Sequence, residues 1–421
     1  MTRRIPASGI NLFQLIYTLV REYEQASGKN ALNLSLGNPD GVPVQRLLDL
    51  QARFARDPGF AYHTYAEDND LNGFAAGMVE LHGGIRVAEN RHLRCVPIPG
   101  IKTAGALIPL ACGLHLPDKA RRGAFKVVSN LPAYDVIGTW SGPYLASERV
   151  VWPLTPEDSM RLDLGRLRAA LAAAKVERPD VVYVIRPGNP ASVGSTGDEW
   201  RALIRFCLEA GARLVNDAAY AGLAGPGHVP LAAVAREFHE LEWAELYSVS
   251  KSFSDPGARL GAMVGSKDFI EDFILVKGNT ESGPVPSLMA AYGEYFKDRD
   301  AALKDLEGLR ALYGRRLAYV VPKLKAAGLV PACPTEAGFF TLWRVPRRVL
   351  DVDLASDPRT KDLPAHEAYN RLVSSQTGLV GVHFQSAAGE PLIRYAVCAD
   401  VLDPVFQKRF DEALTRLRPG Y

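Results

Sequence analysis

Cysteine is scarce in this chain: five residues in 421, an odd number, with no pair at CxxC spacing. That excludes a disulfide framework, argues against a structural zinc site and fits a protein of the reducing cytoplasm. No charge of one sign dominates. Lys and Arg number 49 against 47 Asp and Glu, a formal net charge of +2, which gives no electrostatic case for a nucleic-acid or anionic-membrane partner. No apolar run reaches the roughly 18 residues of a membrane helix. Arg3 and Arg4 precede the apolar stretch Ile10–Val20, but Asn11 and Gln14 interrupt it, and Arg21, Glu22 and Glu24 follow. No small-residue cleavage site is present, so a secretory leader is not expected. Internal repeats, low-complexity segments, a P-loop and a dinucleotide glycine fingerprint are absent as well. His239-Glu240 begins like a zinc-protease helix, but Trp243 stands where the second histidine belongs. Ser248-x-x-Lys251 has no later Lys-Thr-Gly to make it a penicillin-binding motif.

What remains is ordinary globular material, 47% hydrophobic and 23% charged. Its length predicts two or three domains, or one large α/β domain with a satellite. Leu12, Ile16, Leu19 and Val20 recur at helical spacing and predict a helix over residues 10–27. Short β-rich runs follow at Lys126–Ser129, Val150–Val151, Val181–Ile185, Arg213–Val215, Leu246–Val249 and Ala262–Val264, with helical stretches such as Asp163–Ala174 and Asp198–Ala210 between them. That alternation argues for βαβ units and a mostly parallel sheet. Charged helical sequence from Pro286 to Ala327 leads to a last α+β region, with strands at Gly338–Trp343 and Pro391–Val397 and a closing helix at Asp403–Leu417. The expected division is an N-terminal arm over 1–45, a large domain over 46–300 and a small one over 301–421.

Three of these strands run into polar residues. Val181–Ile185 leads into Arg186-Pro187-Gly188-Asn189-Pro190, Arg213–Val215 into Asn216-Asp217-Ala218-Ala219-Tyr220, and Leu246–Val249 into Ser250-Lys251-Ser252, with Arg259 eight residues past the lysine. Ligands of parallel α/β sheets bind beyond the carboxyl ends of the strands, so an amide, an acid, a phenol, a lysine and an arginine are expected to converge there. The set suits pyridoxal 5′-phosphate. A lysine amine condenses with its aldehyde, a carboxylate keeps its ring nitrogen protonated, and an arginine with a helix N-terminus holds its phosphate. Lys251, Asp217 and Arg259 suit those roles in turn. Asn189 and Tyr220 are candidates to hydrogen-bond the ring's 3-oxygen and favour its phenolate form.

Ser248-Val249-Ser250-Lys251-Ser252-Phe253, followed by Gly257-Ala258-Arg259-Leu260-Gly261, resembles the lysine segment of the fold-type I, class I/II aminotransferases. The Asn189-Pro190 loop, the Asp217-x-x-Tyr220 strand end, Pro99-Gly100-Ile101-Lys102-Thr103-Ala104 and Ile393-Arg394-Tyr395 resemble further family segments, in family order. Gly100-Ile101-Lys102-Thr103 and the segment Lys277 to Gly283 resemble the LL-diaminopimelate/alanine aminotransferase-like subgroup. The resemblance implies a mostly parallel seven-stranded sheet in the large domain and a smaller α+β C-terminal domain. It implies Lys251, Asp217 and Tyr220 as catalytic residues, and Ile101, Lys102, Thr103, Ser248 and Arg259 near the cofactor, with Tyr134 stacked on its ring. Tyr65 would reach the phosphate of the partner subunit's cofactor, which implies a homodimer with shared sites. Gly37, Asn189 and Arg394 would bind the substrate, Arg394 taking its α-carboxylate.

Departures from the family pattern gather around the substrate. Asn69 stands where a glycine is usual, Ala191-Ser192 replaces Thr-Gly, and Val382-His383-Phe384-Gln385-Ser386 replaces a Pro-Gly turn and Phe-Gly pair. His383 is either a core or surface histidine, or a contact or acid/base in the distal pocket, for whose wall Glu67, Asp68 and Glu281 are further candidates. The expected activity is transamination between a keto acid and an α-amino acid with a polar or cationic side chain. The alternative is β/γ-elimination, replacement or cyclisation on a substrate such as S-adenosylmethionine. No metal is expected.

Overall fold

The computed structural model describes residues 12–134 and 147–421. The first helix, α1, covers Leu12–Ser27; residues 10 and 11 of the predicted helix lie outside the described residues. Further helices that matter below are α2 (Phe74–Gly83), α3 (Ile101–Ala111), α4 (Leu164–Ala173), α5 (Gly197–Ala210), α6 (Arg299–Ala326), α7 (Ala365–Thr377) and α8 (Pro404–Leu417). No helix among the described residues is long and apolar enough to cross a membrane.

Seven strands form the main sheet: β1 (Leu93–Ile98), β2 (Lys126–Leu131), β3 (Glu148–Pro153), β4 (Val181–Ile185), β5 (Arg213–Asp217), β6 (Trp243–Ser248) and β7 (Gly261–Ser266). Their order is β1-β7-β6-β5-β4-β2-β3. Only β7 runs against its neighbours. The expected mostly parallel, seven-stranded sheet is therefore present. Its strands are apolar on both faces because both faces are covered: Val182 and Val184 enter one hydrophobic core, while Val181, Tyr183 and Ile185 enter another. A smaller antiparallel sheet has the order β9-β10-β8, from β8 (Phe340–Arg344), β9 (Val382–Gln385) and β10 (Pro391–Ala396). It shares a third core with Leu32, Leu34, α7 and α8.

Two strands of these two sheets have no counterpart among the predicted runs. β1 carries Arg94 and Pro97, which break the apolar pattern, and it tolerates proline because it is the sheet edge. β9 is a short edge strand beginning at Val382.

Behind the strand ends lies a buried polar knot. Asn216 accepts from the Arg186 N–H at 2.9 Å and donates to the Arg186 carbonyl at 2.9 Å and to Glu245 at 2.8 Å. Glu245, fully buried, also accepts from Leu231 N–H, Ala232 N–H and the Tyr247 hydroxyl. Burial raises its pKa above the usual carboxylate range while those four donors oppose the rise. Glu245→Ala leaves the donors without an acceptor in a place water does not reach. Each such loss costs about 1–3 kcal/mol, so denaturant titration should show the variant destabilised by at least ~3 kcal/mol.

Candidate active site

A cleft of ≈ 390 Å³ opens at the ends of β4, β5 and β6 and is closed by residues of α1, α3 and the small sheet. Lys251 sits in a single helical turn, Val249–Ser252, directly after β6. Ser248 caps that turn by accepting from the Ser250 N–H at 3.1 Å. The Lys251 Nζ donates to the Gly37 carbonyl at 2.7 Å. Gly37 also lies close under Phe340, where a Cβ would stand 3.1 Å from the ring. Burial lowers the Lys251 pKa to about 8, and Arg394 and Arg259 push in the same direction.

Asp217 ends β5 and is 5% exposed. Its Oδ1 accepts from the Ala219 N–H at 3.0 Å, and no cation offsets its charge among the described residues. Burial raises its pKa to about 6, against the Ala219 N–H and the neighbouring Tyr183 hydroxyl. Asn189 donates to the Tyr220 hydroxyl at 3.4 Å, and its backbone carbonyl accepts from the Tyr134 N–H at 2.7 Å. Tyr134 itself is half-buried and lines the cleft. Arg186 turns away from it and donates to the Met160 carbonyl at 2.6 Å.

Arg394, on β10, is 1% exposed. Nη1 donates to Asn189 Oδ1 at 2.7 Å and Nη2 to the Ser35 carbonyl at 2.8 Å. Its Nε is buried without a partner. The guanidinium lies 4.1 Å from the centroid of the Phe340 ring. No carboxylate pairs with it among the described residues, and burial lowers its pKa to about 10.

Arg259 adopts φ +50° and donates from Nη1 to the Pro256 carbonyl at 3.0 Å. Gly100, at φ +86°, opens α3, and a Cβ there would stand 2.6 Å from Arg259 Nη2. The guanidinium thus lies against the first turn of α3, where free N–H groups favour an anion. This cradle, the unpaired buried acid of Asp217 and the low-pKa lysine fit the phosphate, ring nitrogen and aldehyde of pyridoxal 5′-phosphate.

Ile101, Lys102, Tyr134, Asn189, Asp217, Tyr220, Ser248, Lys251, Arg259, Arg394 and Gly37 all line the cleft. Thr103 and Tyr65 do not; both are exposed, Tyr65 at 75%. His383 is also outside. Its Nδ1 lies 3.2 Å from Asn370 Nδ2, and its ring lies tilted against His366 on α7, with centroids 5.4 Å apart. Strand parity is the reason: Phe384, the next residue, is the one that faces Arg394. Of the acids offered for the distal pocket, Asp68 pairs with Arg94 and Glu281 with Lys277. The Glu67 carbonyl accepts from Lys277 at 2.6 Å, and none of the three lines the cleft. The distal wall holds residues that sequence reasoning passed over: Phe13 and Tyr17 of α1, with Asn38 and Phe340. Phe13 and Tyr17 stand at i, i+4 beside the buried stripe of Ile16 and Leu19 and remain 36% and 53% exposed. That second aromatic stripe was the available signal.

Such a cleft at the ends of parallel strands, with a lysine after the third, marks a pyridoxal-phosphate-dependent transferase. The aminotransferase class I and II family matches residues 30–380, and the chain belongs to it; it is a pyridoxal-phosphate-dependent aminotransferase. It is 26% identical to the LL-diaminopimelate aminotransferase of Syntrophobacter fumaroxidans over 415 residues, 97% of this chain and 95% of the relative. It is 25% identical to the L-glutamine–4-(methylsulfanyl)-2-oxobutanoate aminotransferase of Bacillus subtilis over 262 residues, 61% of this chain and 62% of that one. In fold it resembles a single mutant of Thermus thermophilus aspartate aminotransferase, with a TM-score of 0.77, 19% identity and coverage of 98% and 99% of the two chains.

Two measurements on the cofactor-free protein check these electrostatics. The folded carboxyl of Asp217 keeps its proton up to about pH 6, whereas the unfolded one loses it near the ordinary aspartate value of 3.8. Stability is therefore lost as pH rises through that window. Asp217→Asn should be more stable than the natural protein by about 2–3 kcal/mol above pH 6, and the gain should vanish below about pH 4. Competitive acetylation read by mass spectrometry should give Lys251 a midpoint near pH 8, against roughly 10.4 for ordinary lysines.

Proposed function

We propose that the enzyme takes the amino group from an α-amino acid with a polar or cationic side chain, and that Arg394 reads the α-carboxylate. The observation that carries this is a fully buried arginine beside Lys251 with no carboxylate of its own. A planar guanidinium forks onto a carboxylate in a way a lysine cannot copy. Asn189 holds that fork in place through Oδ1.

Pyridoxal 5′-phosphate supplies an aldehyde for the amino group and a cationic ring that draws electrons from Cα. With the cofactor bound, Asp217 would hold the ring-nitrogen proton, Tyr220 and Asn189 would donate to the 3-oxygen, and Tyr134 would lie against the ring. Arg259, Ser248 and the first turn of α3, with Ile101 and Lys102, would hold the phosphate. Lys251, its pKa already near working pH, takes the proton from the substrate Cα. Burial around Arg394 and Lys251 keeps water from competing for these contacts.

The side-chain preference rests on the distal wall. Tyr17 offers a ring face to a cation and Asn38 an amide to a polar group. Apart from Arg259 and Arg394, no arginine lines the cleft among the described residues, so aspartate and glutamate are not the preferred donors. LL-diaminopimelate and glutamine, named for two relatives, are polar. The exposed Tyr65 suits a homodimer in which it reaches the partner subunit's cofactor, with arm, large and small domains dividing near residues 45 and 300. The five cysteines are all free, in keeping with a cytoplasmic protein.

Arg394→Lys should raise KM for every amino acid tested by about tenfold or more, the value of one charge-assisted hydrogen bond or greater. A panel of amino acids with and without a keto-acid acceptor, read by mass spectrometry, checks the reaction. Turnover that needs no acceptor marks elimination or cyclisation, and aspartate as the best donor overturns the side-chain assignment.

A further inference from the structure

The pocket around Arg394 has two walls from distant parts of the chain. One is β10, which carries Arg394 and runs on into Val397 and Cys398. The other is the segment of residues 35–40. Its Ser35 carbonyl accepts from Arg394, and its Gly37 carbonyl accepts from Lys251. That segment forms neither helix nor strand, so its place is set by what grips it.

Its near end is tied to β10, where the Leu34 carbonyl accepts from the Ala396 N–H at 2.6 Å. Its far end is held by α6. Arg316 donates from Nη2 to Asp40 Oδ2 at 2.6 Å, and the exposed Asp400 stands 3.6 Å from the same nitrogen. From Nη1 it donates to the Cys398 carbonyl at 3.0 Å and the Val397 carbonyl at 3.3 Å. One guanidinium therefore holds both walls. Tyr313, three residues earlier on the same face of α6, accepts from the Asp40 N–H at 3.0 Å. Its own ring packs against Phe339, with centroids 5.0 Å apart.

This arrangement is costly. The Arg316 side chain is 4% exposed, while its partner Asp40 is 44% exposed, and its buried Nε has no partner. Taking a guanidinium out of water opposes folding, and well-packed apolar side chains often fill such a place at no loss of stability. What the guanidinium adds is a rigid fork able to bind two segments at once. Arg316 does not line the cleft, so its influence runs through the walls. We propose that Arg316 is a positioning residue for the substrate carboxylate, a role that rests on Arg394 reading that group. Through Asp40 and the carbonyls beyond β10 it fixes the Ser35 wall against the strand of Arg394, and so keeps the Arg394 fork aimed. A substrate without a carboxylate draws nothing from this clamp.

The test compares two substrates on the holoenzyme in single turnover: the best amino-acid donor and the amine that lacks only its α-carboxylate. The ratio of their kcat/KM values measures how well the carboxylate is read. Arg316→Lys keeps the charge but cannot grip both walls. Asp40→Asn removes the acid from a half-exposed position and keeps the test available where Arg316→Lys does not fold. Each should lower the ratio by about threefold or more, with the loss in the amino acid's KM and the amine rate unchanged. The double variant should be no worse than the more affected single one, because both cut the same link. Equal slowing of amine and amino acid overturns the proposal. So does a ratio that falls in Arg394→Lys but in neither of these variants, which leaves the role of Arg394 standing. A ratio unmoved even by Arg394→Lys overturns the reading of Arg394 and the clamp with it.

Discussion

The site depends on the register of three adjacent parallel strands, and one side chain pins it. Ile185 stands beside Asp217, and Asp217 beside Leu246. Asn216 grips both main-chain groups of Arg186 on one side and Glu245 on the other. A slip of one residue would turn Asp217 to the opposite face and bring Asn216 into the cleft. The knot around Glu245 makes that slip costly, because its buried donors and acceptors would all lose their partners together. The catalytic row is thus set from behind, by groups that never meet a ligand.

In front of the row, charge is left uncompensated. Asp217 has no cation and Arg394 has no acid among the described residues, and both are nearly inaccessible. Burying charges without partners opposes folding. The same charges need no rearrangement when a ligand brings the opposite sign, which is the physical meaning of a preorganised site. Lys251 follows this logic from the other direction, since two nearby arginines and its own burial favour the neutral amine.

Much of this was legible in the sequence because polar residues at the ends of apolar strands are conspicuous. Asn189, Asp217, Tyr220, Lys251 and Arg259 could be found by asking where each β-rich run leads, and Arg394 followed from the resemblance. What was not legible depended on parity and on distance along the chain. His383 and Phe384 look equally able to reach the substrate until the pairing of β9 with β10 decides which face each takes. Phe13 and Tyr17 look like core on a helix whose neighbouring stripe is core. β1 was hidden by Arg94 and Pro97, residues an edge strand tolerates. Asp68 is an acid whose partner, Arg94, lies 26 residues along the chain, and Lys277, which pairs with nearby Glu281, also reaches across to the Glu67 carbonyl.

The buried charges of Asp217 and Arg394, which have no opposite charge among the described residues, also make the cofactor and substrate part of what keeps the chain folded. A molecule that binds only the folded state adds stability as its concentration rises above Kd, about 2.7 kcal/mol at a hundredfold excess. Proteases that act through transient opening cut in proportion to the open population. The persistence of this polypeptide in a cell is thereby tied to vitamin supply: a chain starved of its cofactor is opened, and degraded, more often than one that holds it.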